Sequence, residues 1–177
     1  MLGHLLLEGG CCDVVRFHTK GHPTFVSDAL SDDVIGTINF LAGIEDGNKA
    51  HEATSTLAAK LQEHLKSHRF MLDDDLFWCQ PTAFWDMPRH VMNKLSTSSL
   101  VFVKGDANYR RLLGERQWPL DTPAKEVLSY WQVPVCALRT FKAEIGCGVS
   151  KESVARAEEL DKRWLVSGKW GVVQLKE

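Results

Sequence analysis

No run of apolar residues in this chain approaches the length needed to cross a membrane as a helix. Leu5-Leu6-Leu7 is followed at once by Glu8-Gly9-Gly10, and it is too short for the core of a secretory leader. Cysteine is sparse and unpaired in pattern. The five present (Cys11, Cys12, Cys79, Cys136, Cys147) are odd in number and form no Cys-x-x-Cys spacing. That argues against a disulfide framework and against a cysteine-based zinc site, and it suits reduced thiols. Positive charge is not in excess: 21 Lys and Arg stand against 23 Asp and Glu, a net charge of -2. A chain with no surplus of cations to displace counterions is not expected to bind nucleic acid generally. Internal repeats and low-complexity tracts are absent too. The expectation is a soluble cytoplasmic protein with no membrane and no nucleic-acid partner; protein partners are not specified by these features.

What is present is ordinary globular composition. The chain has 177 residues, 44% hydrophobic and 25% charged, enough for one domain with a real core. Residues 2–8 read as the last turns of a helix stopped by Gly9-Gly10. Residues 14–18 read as a strand, the turn Lys20-Gly21-His22-Pro23 follows, and residues 24–26 read as a second short β segment ending at Ser27-Asp28. Ser31, Asp32 and Asp33 suit the cap and first turn of a helix running to residue 42, where carboxylates complement the helix dipole. Residues 43–48 read as a turn. Leu57, Leu61 and Leu65 recur at i, i+4 and predict an amphipathic helix over 53–67. Asp73-Asp74-Asp75 reads as a solvated turn, residues 77–85 as an aromatic loop, and residues 87–95 as a helix. Later, Thr122-Pro123 suits a helix start, with the helix expected to reach residue 131. Residues 133–138 read as a buried strand, Ser150 as the cap of a helix running to residue 163, and residues 170–175 as a last strand.

The densest chemistry lies at residues 99–116. Leu100-Val101-Phe102-Val103 reads as a buried strand that stops at Lys104-Gly105-Asp106, and residues 108–113 have helical composition. Lys104, Asp106, Asn108, Arg110, Arg111 and Arg116 crowd this junction. Open α/β sheets place ligands at such points, outside the carboxyl end of a strand. Cations beside an acid and an amide suit an anionic, hydroxyl-bearing ligand that carries a metal ion. A solvated turn with a basic helix start accounts for the same spacing. The strand at 133–138 also ends on cations, Arg139 and Lys142. With Asp28, three strand ends thus carry polar groups, and in a parallel sheet they lie on one edge. A carboxylate with several fixed cations is what metal-assisted chemistry on a phosphate ester uses.

Other candidates are weaker. His64 and His68 share a helix face as a conceivable metal pair, but no HExxH context or nearby cysteine supports it. Asp73-Asp74-Asp75 lacks the glycine and distal glutamate of a calcium loop. Gly146-Cys147-Gly148-Val149-Ser150-Lys151 lacks Walker spacing and reads more simply as a helix cap.

Three motifs carry a family resemblance: Phe25-Val26-Ser27-Asp28; Phe102-Val103-Lys104-Gly105-Asp106-Ala107-Asn108-Tyr109-Arg110-Arg111-Leu112; and Arg139-Thr140-Phe141-Lys142-Ala143-Glu144. With the tail Ser167-Gly168-Lys169-Trp170-Gly171-Val172, they resemble, in order and over nearly the whole chain, the damage-control phosphatases marked by an Arg-Thr-x-Lys motif. That subfamily is also known as acidic-residue (protein-glutamate) carboxyl methyltransferases. The resemblance implies an α/β fold, a three-layer, mostly parallel Rossmann-like sheet with flanking helices. It implies that 1–177 is one domain, the carboxyl-terminal part of a metal-dependent phosphatase catalytic domain. The family's first strand, ending in an Asp-Asn metal-ligand pair, and its helical amino-terminal domain have no counterpart before Leu2, which implies reduced metal affinity. It further implies manganese, cobalt, nickel or magnesium as cofactor and a sugar phosphate such as fructose 1-phosphate as substrate.

By motif match, Asp28 corresponds to a metal-binding and catalytic aspartate. Asp106 (also catalytic), Ala107, Asn108, Tyr109 and Arg110 correspond to the substrate loop, and Lys142 to a phosphate-contacting lysine. Lys104 and Arg139 are expected in supporting roles. Two alternatives remain open: a protein-glutamate methyltransferase using S-adenosylmethionine, for which no glycine-rich loop is present, and a degenerate fragment that binds sugar phosphates without turnover.

Overall fold

The computed structural model describes residues 1–24, 27–44, 47 and 50–177. The chain divides into two compact units, Met1–Gln80 and Pro81–Glu177, and each is taken by itself.

The first unit opens with α1 (Leu2–Glu8), which gives way to Gly9 and to Gly10 at φ +66°, a left-handed turn that glycine adopts at little cost. β1 (Val15–Lys20) then pairs in parallel with β2 (Phe70–Asp75), Val15 opposite Phe70 and Lys20 opposite Asp75. A parallel pair needs a crossover, here made by α2 (Ser31–Ala42) and α3 (His51–Lys66). Asp33 fixes the start of α2: its carboxylate accepts the Leu30 N–H at 2.9 Å, a partner that would otherwise be orphaned at the helix end. The core gathers Leu7, Ile38, Leu61 and Phe70, with Leu57 and Leu65 beside them, so the leucine face of α3 points inward as its spacing implies.

One expectation in this unit is corrected, and two others lie partly outside the described residues. Asp73, Asp74 and Asp75 are not a turn; they are the last half of β2. Three adjacent acids read as solvated because their partners, Arg16 to Asp73 at 3.0 Å and Thr19 and Ser31 to Asp74, come from distant positions. The β segment expected at 24–26 and the turn at 43–48 fall partly on Phe25, Val26, Glu45, Asp46 and Asn48, outside the described residues.

The second unit holds α4 (Arg89–Leu95), β3 (Val101–Lys104), α5 (Asp106–Leu112), α6 (Ala124–Val127), β4 (Val135–Thr140), α7 (Lys151–Leu160) and β5 (Gly171–Lys176). Its sheet order is β3-β4-β5, with β3 and β4 parallel and β5 antiparallel to β4. β4 is the central strand, and Val135, Cys136 and Ala137 are buried in it. Helix α7 starts as expected, with the Ser150 hydroxyl accepting the Ser153 N–H at 3.2 Å.

The helix expected from Thr122 to residue 131 stops at Val127. The reason is tertiary. Trp131 is buried against Phe84, with ring centres 5.9 Å apart, and the Tyr130 hydroxyl donates to the Leu112 carbonyl at 2.7 Å. These anchors outweigh a modest helical propensity. The helix expected at 87–95 begins only after Pro88. The whole is α/β, as expected, with parallel strand pairs joined through helices and one antiparallel strand on the second sheet.

Candidate active site

β3 and β4 run in parallel, so their carboxyl ends emerge side by side: Lys104 opposite Leu138, with Arg139 just beyond. Gly105 makes the exit from β3. It sits at φ +100°, where a side chain would be strained, while its N–H still bonds the Leu138 carbonyl at 3.0 Å. This sharp turn starts α5 at Asp106, an acid in the first helical turn, where the dipole favours it.

The Asp106 carboxylate is the hub. Its Oδ1 accepts from Arg139, with Nε at 2.9 Å and Nη2 at 2.8 Å, and its Oδ2 accepts from Arg110 Nε at 3.0 Å. Arg110 also meets Glu115 at 2.9 Å. Arg139 has a wholly buried side chain. Beyond Asp106 it donates to the carbonyls of Ala143, at 3.0 Å, and of Ile145. Its guanidinium lies over the rings of Tyr109 and Phe141, 4.6 and 4.7 Å from their centres. Ala143 and Ile145 belong to the segment that carries Lys142, so one arginine ties that segment to the start of α5. Lys142 itself is exposed and makes no ion pair among the described residues.

Other expected groups fall around this hub. Asn108 is half-buried, and its amide reaches the Lys104 carbonyl at 3.5 Å. The Lys104 side chain is exposed. Ala107 and Tyr109 lie within α5, so their backbone belongs to the helix that Asp106 starts. The Tyr109 side chain is buried; its hydroxyl donates to Gln174 Oε1 at 2.6 Å, and Gln174 Nε2 donates to the Cys147 carbonyl at 2.6 Å. Burial pushes the Tyr109 hydroxyl and the Cys147 thiol above their ordinary values, so both stay protonated near neutrality.

Two cations of the sequence cluster turn away from it. Arg111 is buried, donates to the Thr82 carbonyl at 2.8 Å and lies 5.0 Å from the Phe84 ring centre; Arg116 lies 5.0 Å from the Trp85 ring centre.

In the first unit, Asp28 is half-buried in the segment that leads into α2. That segment runs beside the end of β1: Lys20 N–H bonds the Ala29 carbonyl at 3.0 Å, and Lys20 and Leu30 form a parallel bridge. The strand ends here carry polar groups that sequence reasoning missed. Thr19 and Ser31 both donate to Asp74, Ser31 at 2.6 Å, and these bonds, Ser31 first, hold the Asp74 carboxyl below the usual range. The buried Lys20 ammonium donates to the Thr24 carbonyl at 2.9 Å. The available signal was positional: Lys20 and Asp75 are the last residues of two paired parallel strands.

A divalent cation of the magnesium or manganese kind draws on several oxygen donors at once. Asp28 belongs to no group of three or more His, Cys, Asp and Glu side chains among the described residues. His64, for which a pairing with His68 was conceivable but unsupported, faces His4 of α1 at 3.1 Å, while His68 sits at φ +57° just past the end of α3.

Residues 1–157 match the Damage-control phosphatase ARMT1-like domain. Similar proteins include the "Damage-control phosphatase ARMT1" of Xenopus laevis, 33% identical over 99% of this chain and 40% of the relative. Those of Danio rerio and Homo sapiens are 32% and 30% identical, each over 98% of this chain and 39% of the relative. The chain thus spans about 40% of the length of the curated relatives it matches.

Proposed function

The chain belongs to the damage-control phosphatase ARMT1-like family, and from that premise we propose that it carries the substrate-binding part of a metal-dependent phosphatase for sugar phosphates of the fructose 1-phosphate type. Residues 1–177 act in this reading as one catalytic domain, the carboxyl-terminal part of the family's. The observation that carries the proposal is the hub at Asp106, where Arg139 links the start of α5 to the segment bearing Lys142.

A carboxylate offers about four acceptor positions. Arg139 and Arg110 take three of those on Asp106, which leaves one for a sugar hydroxyl. Asn108 adds an amide for a second hydroxyl. Lys142, exposed and without an ion pair among the described residues, binds the phosphate dianion, and Arg110 shares it. Arg139 has no donor directed to solvent and acts as a positioning residue; Lys104 supports the same corner. Hydrolysis then adds water at phosphorus and breaks the bond to the sugar oxygen, which leaves with a proton. Fixed cations lower the barrier by holding the charge that develops on the phosphoryl oxygens.

Asp28 would supply one carboxylate toward a divalent ion (manganese, cobalt, nickel or magnesium). The chemistry such an ion supplies to a phosphatase is polarisation of phosphoryl oxygens. The test is release of inorganic phosphate from fructose 1-phosphate by the full chain with manganese or cobalt added. Turnover lost in Asp28→Ala and Asp106→Ala supports the reading. A chain that turns over nothing, and whose Asp28→Ala variant binds metal as the parent does, sinks it.

A further inference from the structure

The first unit contains a cluster that the phosphatase reading does not use. His4 and Glu8 lie four residues apart on α1 and therefore project from one face of it. α3 brings His64 to the same place. His4 Nδ1 and His64 Nε2 are 3.1 Å apart, His64 Nε2 and Glu8 Oε1 are 3.7 Å apart, and the three donor atoms all lie within 4.8 Å of one another. From this geometry we propose that His4, Glu8 and His64 bind a borderline divalent transition metal, zinc being the natural occupant, and that the ion clamps α1 to α3.

The distances suit tetrahedral zinc, and the donor set separates it from harder ions. Tetrahedral zinc, with nitrogen and oxygen ligands at about 2.0–2.2 Å, sets its donor atoms roughly 3.3 Å apart. The two separations given for the cluster, 3.1 and 3.7 Å, bracket that value. Two imidazoles and one carboxylate form a nitrogen-rich donor set, which suits zinc over calcium or magnesium. Three protein ligands also leave a fourth position for water.

The surroundings pre-arrange the ligands. His4 and His64 are buried, and the His64 ring lies 5.0 Å from that of Phe70, which limits its freedom to turn. Lys60 holds the other oxygen of Glu8, Oε2, at 2.6 Å, so Oε1 is the atom left facing His64. Glu8 is partly exposed and provides the way in. The short contact between the two ring nitrogens fits one N–H donated from either imidazole to the other. A cation in place of that proton would bond both nitrogens and the carboxylate, linking helices sixty positions apart in sequence.

The experiment uses the full chain, stripped with a chelator and titrated with zinc by equilibrium dialysis, then with cobalt(II) followed in the visible range. One zinc per chain and a rise in melting temperature support the site. So do tetrahedral cobalt bands without thiolate charge transfer, because no cysteine belongs to the cluster. Glu8→Gln changes a partly exposed side chain and should leave the fold intact, while weakening zinc at least about tenfold. His64→Gln should abolish stoichiometric binding, and Asp28→Asn should leave it unchanged. Absence of stoichiometric zinc, a cobalt spectrum dominated by thiolate, or a Glu8→Gln variant that binds as the parent does would overturn the proposal. These readouts need no phosphatase activity, so the site stands or falls apart from the proposed function.

Discussion

Replacing Arg139 by methionine removes the tie at the centre of the second unit while keeping an apolar stem of similar length. In the parent, this wholly buried side chain bonds Asp106 twice, at 2.9 and 2.8 Å, and also bonds the carbonyls of Ala143 and Ile145. Methionine leaves those two carbonyls without this donor, and Asp106, only 18% exposed, with Arg110 alone. An unmade bond to a buried group costs about 1–3 kcal/mol. Removing one partner of a buried ion pair costs about 3–5 kcal/mol. The two figures describe largely the same atoms and do not add, so the expected loss for Arg139→Met is about 3–5 kcal/mol. Lysine keeps the charge but not the planar fork that serves one carboxylate and two carbonyls together, so Arg139→Lys should cost about 2–3 kcal/mol. Urea unfolding followed by tryptophan fluorescence suits the measurement, because five of the six tryptophans lie between residues 81 and 177. A lower midpoint at unchanged slope is the expected signature. If Arg139→Met shifts stability by less than about 1 kcal/mol, the pair does not hold this corner together and the reasoning is wrong.

Three further outcomes follow from the same geometry. Gly114→Ala forces a side chain onto a backbone at φ +71° and sets its Cβ 1.5 Å from the Trp85 ring; thermal melts should show a loss of about 1–3 kcal/mol or more. Asp74→Asn tests the hydrogen bonds from Ser31 and Thr19, which depress the folded-state carboxyl value. The stabilisation they give is complete above the unfolded carboxyl value of about 3.9 and is lost as pH falls through the folded value, so the parent should lose melting temperature below about pH 4 more steeply than the variant. Lys142→Ala, at an exposed position, should leave urea stability within about 0.5 kcal/mol of the parent while raising KM for the sugar phosphate.

Much of the fold was readable because its signals are local. Gly9-Gly10 ended α1, the leucine spacing gave α3 its buried face, and Ser150 marked the start of α7. The strand–glycine–acid junction at 103–106 was legible for the same reason, since a positive φ and a helix-starting acid are encoded within four residues. What sequence could not show depends on partners far along the chain. Asp73–Asp75 belong to a strand because β1 lies beside them. Arg111 and Arg116 turn to aromatic rings that no spacing rule assigns to them. His64 pairs with His4 across sixty positions, not with its own helical neighbour. A supporting role for Arg139 was expected from the motif likeness, but its carbonyl partners were out of reach, because they follow from the path of the loop after β4.

The central claim is that the corner built on Asp106 and Arg139 presents Lys142 to a phosphate. Calorimetric titration of fructose 1-phosphate into the parent chain and into Lys142→Ala addresses it directly. A charge-assisted hydrogen bond contributes about 1.5–3 kcal/mol, so the variant should bind roughly 10–100-fold more weakly at equal stability. Equal affinity in the two proteins, or no binding by the parent, would contradict the account.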